Sequence, residues 1–166
     1  MNFQVLEVRI PKSWEQNSTW RHKRCNRSNT YRNRSFIHNM SGLVCHRALI
    51  LIDHGSKVPE ANDQIAKVAS LVAKRLPNTF VTFAHMELAK PDLMEAFTLC
   101  VENNARNITV CPFFLFPGKH CTVDIPQMAQ NCASKFSRVT CNVVEPLGVH
   151  EKLVDIVLER AGFPIE

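Results

Sequence analysis

From Ala48 onward the chain alternates four times between short apolar runs and longer segments with helical spacing, and few folds accommodate that pattern. Ala48–Asp53 (ALILID) is continuously apolar up to its last residue, as expected of a parallel strand covered on both faces. Glu60–Leu76 places Ile65, Val68, Ala69, Leu71, Val72 and Leu76 at helical intervals and stops at Pro77. Thr79–His85 is β-branched and aromatic, a second strand. Pro91 then opens a helix to about Asn103, with Leu93, Ala96, Phe97 and Cys100 on one stripe. Asn107–Leu115 reads as a third strand, Asp124–Phe136 as a helix, Val139–Val144 as a fourth strand and Val149–Arg160 as a closing helix. The expectation is an α/β fold: one three-layer unit, a four-stranded parallel sheet with helices on both faces.

His54, Glu87 and His120 follow the first three apolar runs, each 33 residues from the next. That interval suits one strand–helix unit, so three units would bring two imidazoles and a carboxylate to the same end of the sheet. Open α/β sheets bind ligands there, and such a donor set suits a borderline divalent metal. Gly55 and Ser56 continue directly from His54, glycine allowing a sharp turn and close approach of a ligand. Asp53 could orient the imidazole or simply end the strand. The apolar neighbours Met86, Leu88 and Ala89 are expected to draw Glu87 toward the protein and desolvate its carboxylate, suiting it to accept protons. His85 falls outside the equal-interval pattern and ranks below Glu87. In the run Pro112–His120, Phe113 or Phe114 belongs to the core, whereas Phe116, beside Pro117-Gly118, could wall a pocket for a flat ligand. Asp124, before Ile125-Pro126, reads as a helix N-cap.

Charge is unevenly shared. Of the net +5, residues 1–39 supply eight Lys or Arg against Glu7 and Glu15, which leaves residues 40–166 near neutral. No basic face for nucleic acid is implied. The Arg- and Ser-rich, acid-poor segment 1–39 matches the composition of an organelle transit peptide, which would place the protein in a plastid. It could equally be a disordered basic tail of a cytoplasmic protein, or lie upstream of the true start if that is Met40. No apolar run is long enough to span a bilayer. The seven cysteines form no CxxC pair, and Cys100, Cys111 and Cys141 lie in core-like runs, so buried free thiols in a reducing compartment are expected. The chain carries no GxGxxG, Walker A loop or GxSxG elbow, which leaves dinucleotide, ATP and serine-hydrolase readings without support.

Several of these segments together resemble the small class II chelatases, the sirohydrochlorin chelatase group, and most of all its plant-type members. The resemblance covers about Ala48–Arg160 and rests on Asp53-His54-Gly55-Ser56, Glu60-Ala61-Asn62, Ala84–Ala89 with Pro91, Pro112–His120, Asp124-Ile125-Pro126, and Pro146-Leu147-Gly148 with His150. It implies a chelatase half-domain in residues 40–166 and a lyase that inserts Fe²⁺ (or Co²⁺) into sirohydrochlorin in sirohaem (or cobalamin) biosynthesis, without ATP. It also implies that His54, Glu87 and His120 match the group's metal-handling triad, and that two copies pair as a homodimer. Gly55, Ser56, Lys57, Phe116, Gly118 and Lys119 become candidates for contact with the substrate. Lys57 and Lys119 could steer its carboxylates, since the domain as a whole offers no positive field. Plant members commonly carry a cysteine-containing extension that holds an iron–sulfur cluster. No cysteine follows Cys141, so no cluster is assigned. A non-catalytic tetrapyrrole or metal carrier would use the same residues, whereas an unrelated flavodoxin-like domain would leave the three polar residues scattered.

Overall fold

The computed structural model describes residues 46–165; the basic leader and Met40, with the targeting question attached to them, lie outside the described residues. Strand β1 (Arg47–Asp53) pairs in parallel with β2 (Phe80–His85) on one side and with β3 (Asn107–Pro112) on the other. Strand β4 (Thr140–Val143) adds to β3, giving the order β2-β1-β3-β4. The helices are α1 (Pro59–Arg75), α2 (Leu93–Glu102), α3 (Ile125–Ala133) and α4 (Glu151–Ala161).

Side-chain alternation along β1 explains its uninterrupted apolar sequence. Ala48, Ile50 and Ile52 point to one face, where they join Ala84, Ile108 and Val110 beneath Leu93, Ala96, Phe97 and Cys100 of α2 and Ile125, Ala129 and Cys132 of α3. Leu49 and Leu51 point to the other face, against Ile65, Val68, Ala69 and Val72 of α1. Phe97 is completely buried and stacks on Phe136, with ring centroids 6.3 Å apart. From β1 the chain leaves in one direction to β2 and, via α2, returns past β1 to β3. The point where those directions diverge, at the C-terminal ends of β1 and β3, is the topological switch point at which such sheets bind ligands.

Among the described residues Cys100, Cys111, Cys121, Cys132 and Cys141 are all free thiols. Burial pushes Cys100 up to about 12; burial, aided by neighbouring Cys132, pushes Cys141 up to about 11. Helix α4 buries none of its side chains and ends on Gly162 in the left-handed conformation (φ 77°). No helix of the described residues is long and apolar enough to cross a membrane.

Three sequence-based boundaries are corrected. The third strand stops at Pro112 rather than Leu115: Pro112 has no N–H to donate, Phe113 makes one last bond to the Ile52 carbonyl (2.7 Å), and the chain turns away. Pro91 precedes α2 instead of opening it. The cap is Asp92, whose carboxylate accepts from Glu95 N–H (2.9 Å) while the Glu95 carboxylate accepts from Asp92 N–H (2.8 Å). Asp124 caps nothing. It lies in right-handed helical conformation at the end of a π-helical turn, His120–Asp124, that runs straight into α3.

Candidate functional site

Each of the three polar residues singled out by spacing emerges just past a strand end, and the fold brings them together. His54 follows β1, Glu87 lies beyond β2, and His120 begins the π-helical turn after β3. The His54 and His120 rings stand with centroids 5.5 Å apart, tilted by 59°. On the other side of His54, its Nε2 lies 3.6 Å from Glu87 Oε2. All three are accessible, with 41% of the His54 side chain, 53% of Glu87 and 44% of His120 open to solvent. Among the described residues no three His, Cys, Asp or Glu side chains close into a ready-made metal cage. The donors are adjacent and open to solvent.

The desolvation expected for Glu87 does not occur. Met86 turns into the core, leaving Glu87 to point outward into water. Nor does Asp53 orient His54. Its Oδ1 instead takes the Nδ1–H of His85 at 2.6 Å and the N–H of Gly55 at 3.0 Å. His85 is buried (1% exposed), and its Nε2 meets no hydrogen-bond partner among the described residues. Leaving such a nitrogen unsatisfied costs on the order of 1–3 kcal/mol.

A second carboxylate–imidazole pair lies within the site itself. His120 Nδ1 is 2.8 Å from Asp124 Oδ2, one helical turn on. Asp124 is placed to accept an Nδ1–H, and in the neutral ring that bond leaves the lone pair on Nε2, the arrangement used by histidines that ligate metals. The signal in the sequence was the i, i+4 spacing of His120 and Asp124, hidden because the helical turn starts at His120, ahead of the expected start at Asp124.

The remaining candidates border the site on its loops. Gly55 has φ +79°, and a Cβ there would come within 3.1 Å of His85 Cβ and 3.2 Å of the Ala89 nitrogen, so the position admits little else. Ser56 is occupied structurally: its N–H donates to Asn62 Oδ1 (2.8 Å), its carbonyl accepts from Asn62 Nδ2 (2.9 Å), and its hydroxyl accepts from Val58 N–H (3.0 Å). The Gly118 carbonyl receives the N–H groups of Cys121 and Thr122, launching the helix that carries His120. Lys57 and Lys119 are exposed, and neither enters an ion pair among the described residues. Phe116 is 67% exposed, and Val58, Leu88, Leu115 and Val123 on the same loops and turn are exposed too. Phe113 and Phe114, by contrast, pack into the two cores on opposite faces of the sheet.

Known proteins share this arrangement of strands and helices. The chain is 39% identical over 112 residues to the chloroplastic sirohydrochlorin ferrochelatase of Arabidopsis thaliana, a match covering 68% of this chain and 50% of that protein. It is 31% identical to the sirohydrochlorin cobaltochelatase of Methanococcoides burtonii, across 68% of this chain and 92% of the relative. The chain thus spans about half the length of the plant relative and nearly all of the archaeal one. The sirohydrochlorin chelatase SirB from Bacillus subtilis subspecies spizizenii, solved in complex with cobalt, superposes with a TM-score of 0.64 at 27% identity, over 70% of this chain and 50% of that one. The CbiX family model matches residues 48–162, from the second residue of β1 to the glycine that ends α4. By this match, and in keeping with the motifs that first suggested it, the chain belongs to the CbiX family.

Proposed function

We propose that this protein is a sirohydrochlorin chelatase, a lyase that exchanges two pyrrole N–H protons of the macrocycle for Fe²⁺ or Co²⁺ without nucleotide energy. One observation carries the reading: two imidazoles and a carboxylate meet in the open at the switch point of the sheet. The relatives named for the same reaction on iron and on cobalt support it.

The chemistry asks for ligands that hold a divalent ion loosely, a base for two protons, and a surface for a flat polycarboxylate. His54 and His120 present the ion with imidazole nitrogens, softer than carboxylate and less tenacious than thiolate. Asp124 keeps His120 in the ligating tautomer. Glu87, beside His54 and half in water, completes the ligand set or relays the displaced protons from His54 to solvent. Phe116 and the apolar loop residues around it offer the macrocycle a face, with Lys57 and Lys119 available to its carboxylates.

Two copies are proposed to form the working unit. Helix α4 leaves Val154, Ile156 and Val157 half exposed or more, and the longer relatives are about twice the length matched here. The Arg-rich leader and the chloroplastic name of the Arabidopsis relative support import into a plastid; the N-terminal sequence of the protein isolated from its host would test it.

The central test mixes purified protein anaerobically with Fe²⁺ or Co²⁺ and sirohydrochlorin and follows the absorbance of metallation. A rate above the protein-free control, abolished in His54→Ala and His120→Ala, is the expected result. Tetrapyrrole binding without acceleration would make the protein a carrier and overturn the proposal.

A further inference from the structure

We infer that the Asp53–His85 pair, its imidazole buried and its carboxylate partly open to solvent, is a positioning device that holds His54 and Glu87 in register for the metal. This deepens the chelatase reading and rests on it.

The pair sits where the two loops meet. Asp53 ends β1 and His85 ends β2, and the two are direct partners in the strand register. One carboxylate oxygen of Asp53 receives both the His85 imidazole and the Gly55 N–H, so the residues on either side of His54 are tied to a single atom anchored from the neighbouring strand. The same junction is stitched through the backbone: Met86 N–H donates to the Asp53 carbonyl (2.8 Å) and Glu87 N–H to the His54 carbonyl (3.3 Å). A Cβ on Gly55 would meet His85 Cβ at 3.1 Å, so the turn after His54 tolerates no side chain on the side of β2.

What the imidazole adds is narrow. An apolar side chain of similar size would fill the space and leave no polar nitrogen sealed away, whereas His85 Nε2 is buried without a partner. The Nδ1–H bond to Asp53, with an edge-on contact to the Phe83 ring (centroids 5.7 Å apart), distinguishes histidine from such a residue. His85 thus gives up stability for a hydrogen bond whose other end fixes the turn bearing His54. His85 and Asp53 act through His54 and Glu87, so they are positioning residues.

The experiment compares full-length wild type, His85→Leu, His85→Asn and Asp53→Asn. Leucine fills the site without a donor, whereas asparagine restores a donor near the Nδ1 position but leaves a gap. Readouts are thermal unfolding, Co²⁺ affinity and visible spectrum without tetrapyrrole, and separate apparent KM values for metal and for sirohydrochlorin. In His85→Leu, Co²⁺ should bind about ten-fold more weakly with a shifted band, and KM for metal should rise while KM for sirohydrochlorin holds. Asp53→Asn should move the same way. His85→Asn should recover most of the affinity despite being the less stable of the two His85 variants. Metal affinity that stays at the wild-type value, or that simply follows stability across the set, overturns the inference. Wild type that neither binds Co²⁺ nor metallates the tetrapyrrole overturns the chelatase reading, and this inference with it.

Discussion

His120 and Asp124 lie one turn apart on the helix that leads into α3, with Nδ1 of the ring 2.8 Å from Oδ2 of the carboxylate. Asp124 caps no helix, so its contribution is to the imidazole rather than to the fold. Asp124→Ala is expected to leave the melting transition close to wild type and to lower kcat/KM for metallation about 10–100-fold, as when the hydrogen-bond partner of a ligating histidine is removed. Steady-state kinetics beside a thermal melt decide it. Unchanged turnover would show that the pair is incidental.

Lys57 and Lys119 are the cations of the His54 and His120 loops. Replacing both with alanine should raise the apparent KM for sirohydrochlorin by roughly ten-fold at low salt with little change in kcat, because steering acts on encounter. The difference should shrink as ionic strength rises and the Debye length falls to about 8 Å or below. A KM that does not move at any salt concentration rules out the steering role.

Phe97 is fully buried at the centre of the larger core and stacks on Phe136. Phe97→Ala should lower the unfolding free energy by about 3–5 kcal/mol, from lost burial and the cavity left behind. Urea denaturation followed by circular dichroism measures it, and a loss below about 1 kcal/mol would contradict this packing.

The buried thiols set an alkaline limit. Cys100 is raised from 9.0 to about 12, so the unfolded chain releases that proton first as pH climbs. Its contribution to stability is complete below pH 9.0 and is lost progressively as pH rises toward 12. At pH 8, iodoacetamide should modify the fully buried Cys100 only after denaturation, as mapped by peptide mass spectrometry. Rapid labelling in the native state would mean that the interior opens far more readily than its packing implies.

The sheet and its helices were legible because apolar periodicity reports burial, and burial is what a three-layer fold demands of each strand. The continuous ALILID run is the plainest case, one strand facing two cores. The convergence of His54, Glu87 and His120 was legible for a related reason: regular strand–helix units return the chain to the same sheet edge. Hydrogen-bond partners were not legible. Asp53 lies beside His54 in sequence but spends its carboxylate on His85, 32 residues away, because parallel pairing puts strand ends side by side. Asp124 resembled a cap because a π-helical turn leaves no mark in periodicity. The exposure of Glu87 was not legible either, because its apolar neighbours report the environment of Met86, not its own.

The two gaps within the site are set by different parts of the fold. His54 and Glu87 ride on adjoining strand ends laced by main-chain bonds, whereas His120 hangs from a stretch, residues 113–119, whose last five members are exposed. The spacing of His54 and Glu87 is therefore fixed by strand pairing, and that of the two imidazoles by the path of an exposed loop. Sequence changes in that stretch reset the distance between the imidazoles and leave the His54–Glu87 spacing as the sheet dictates.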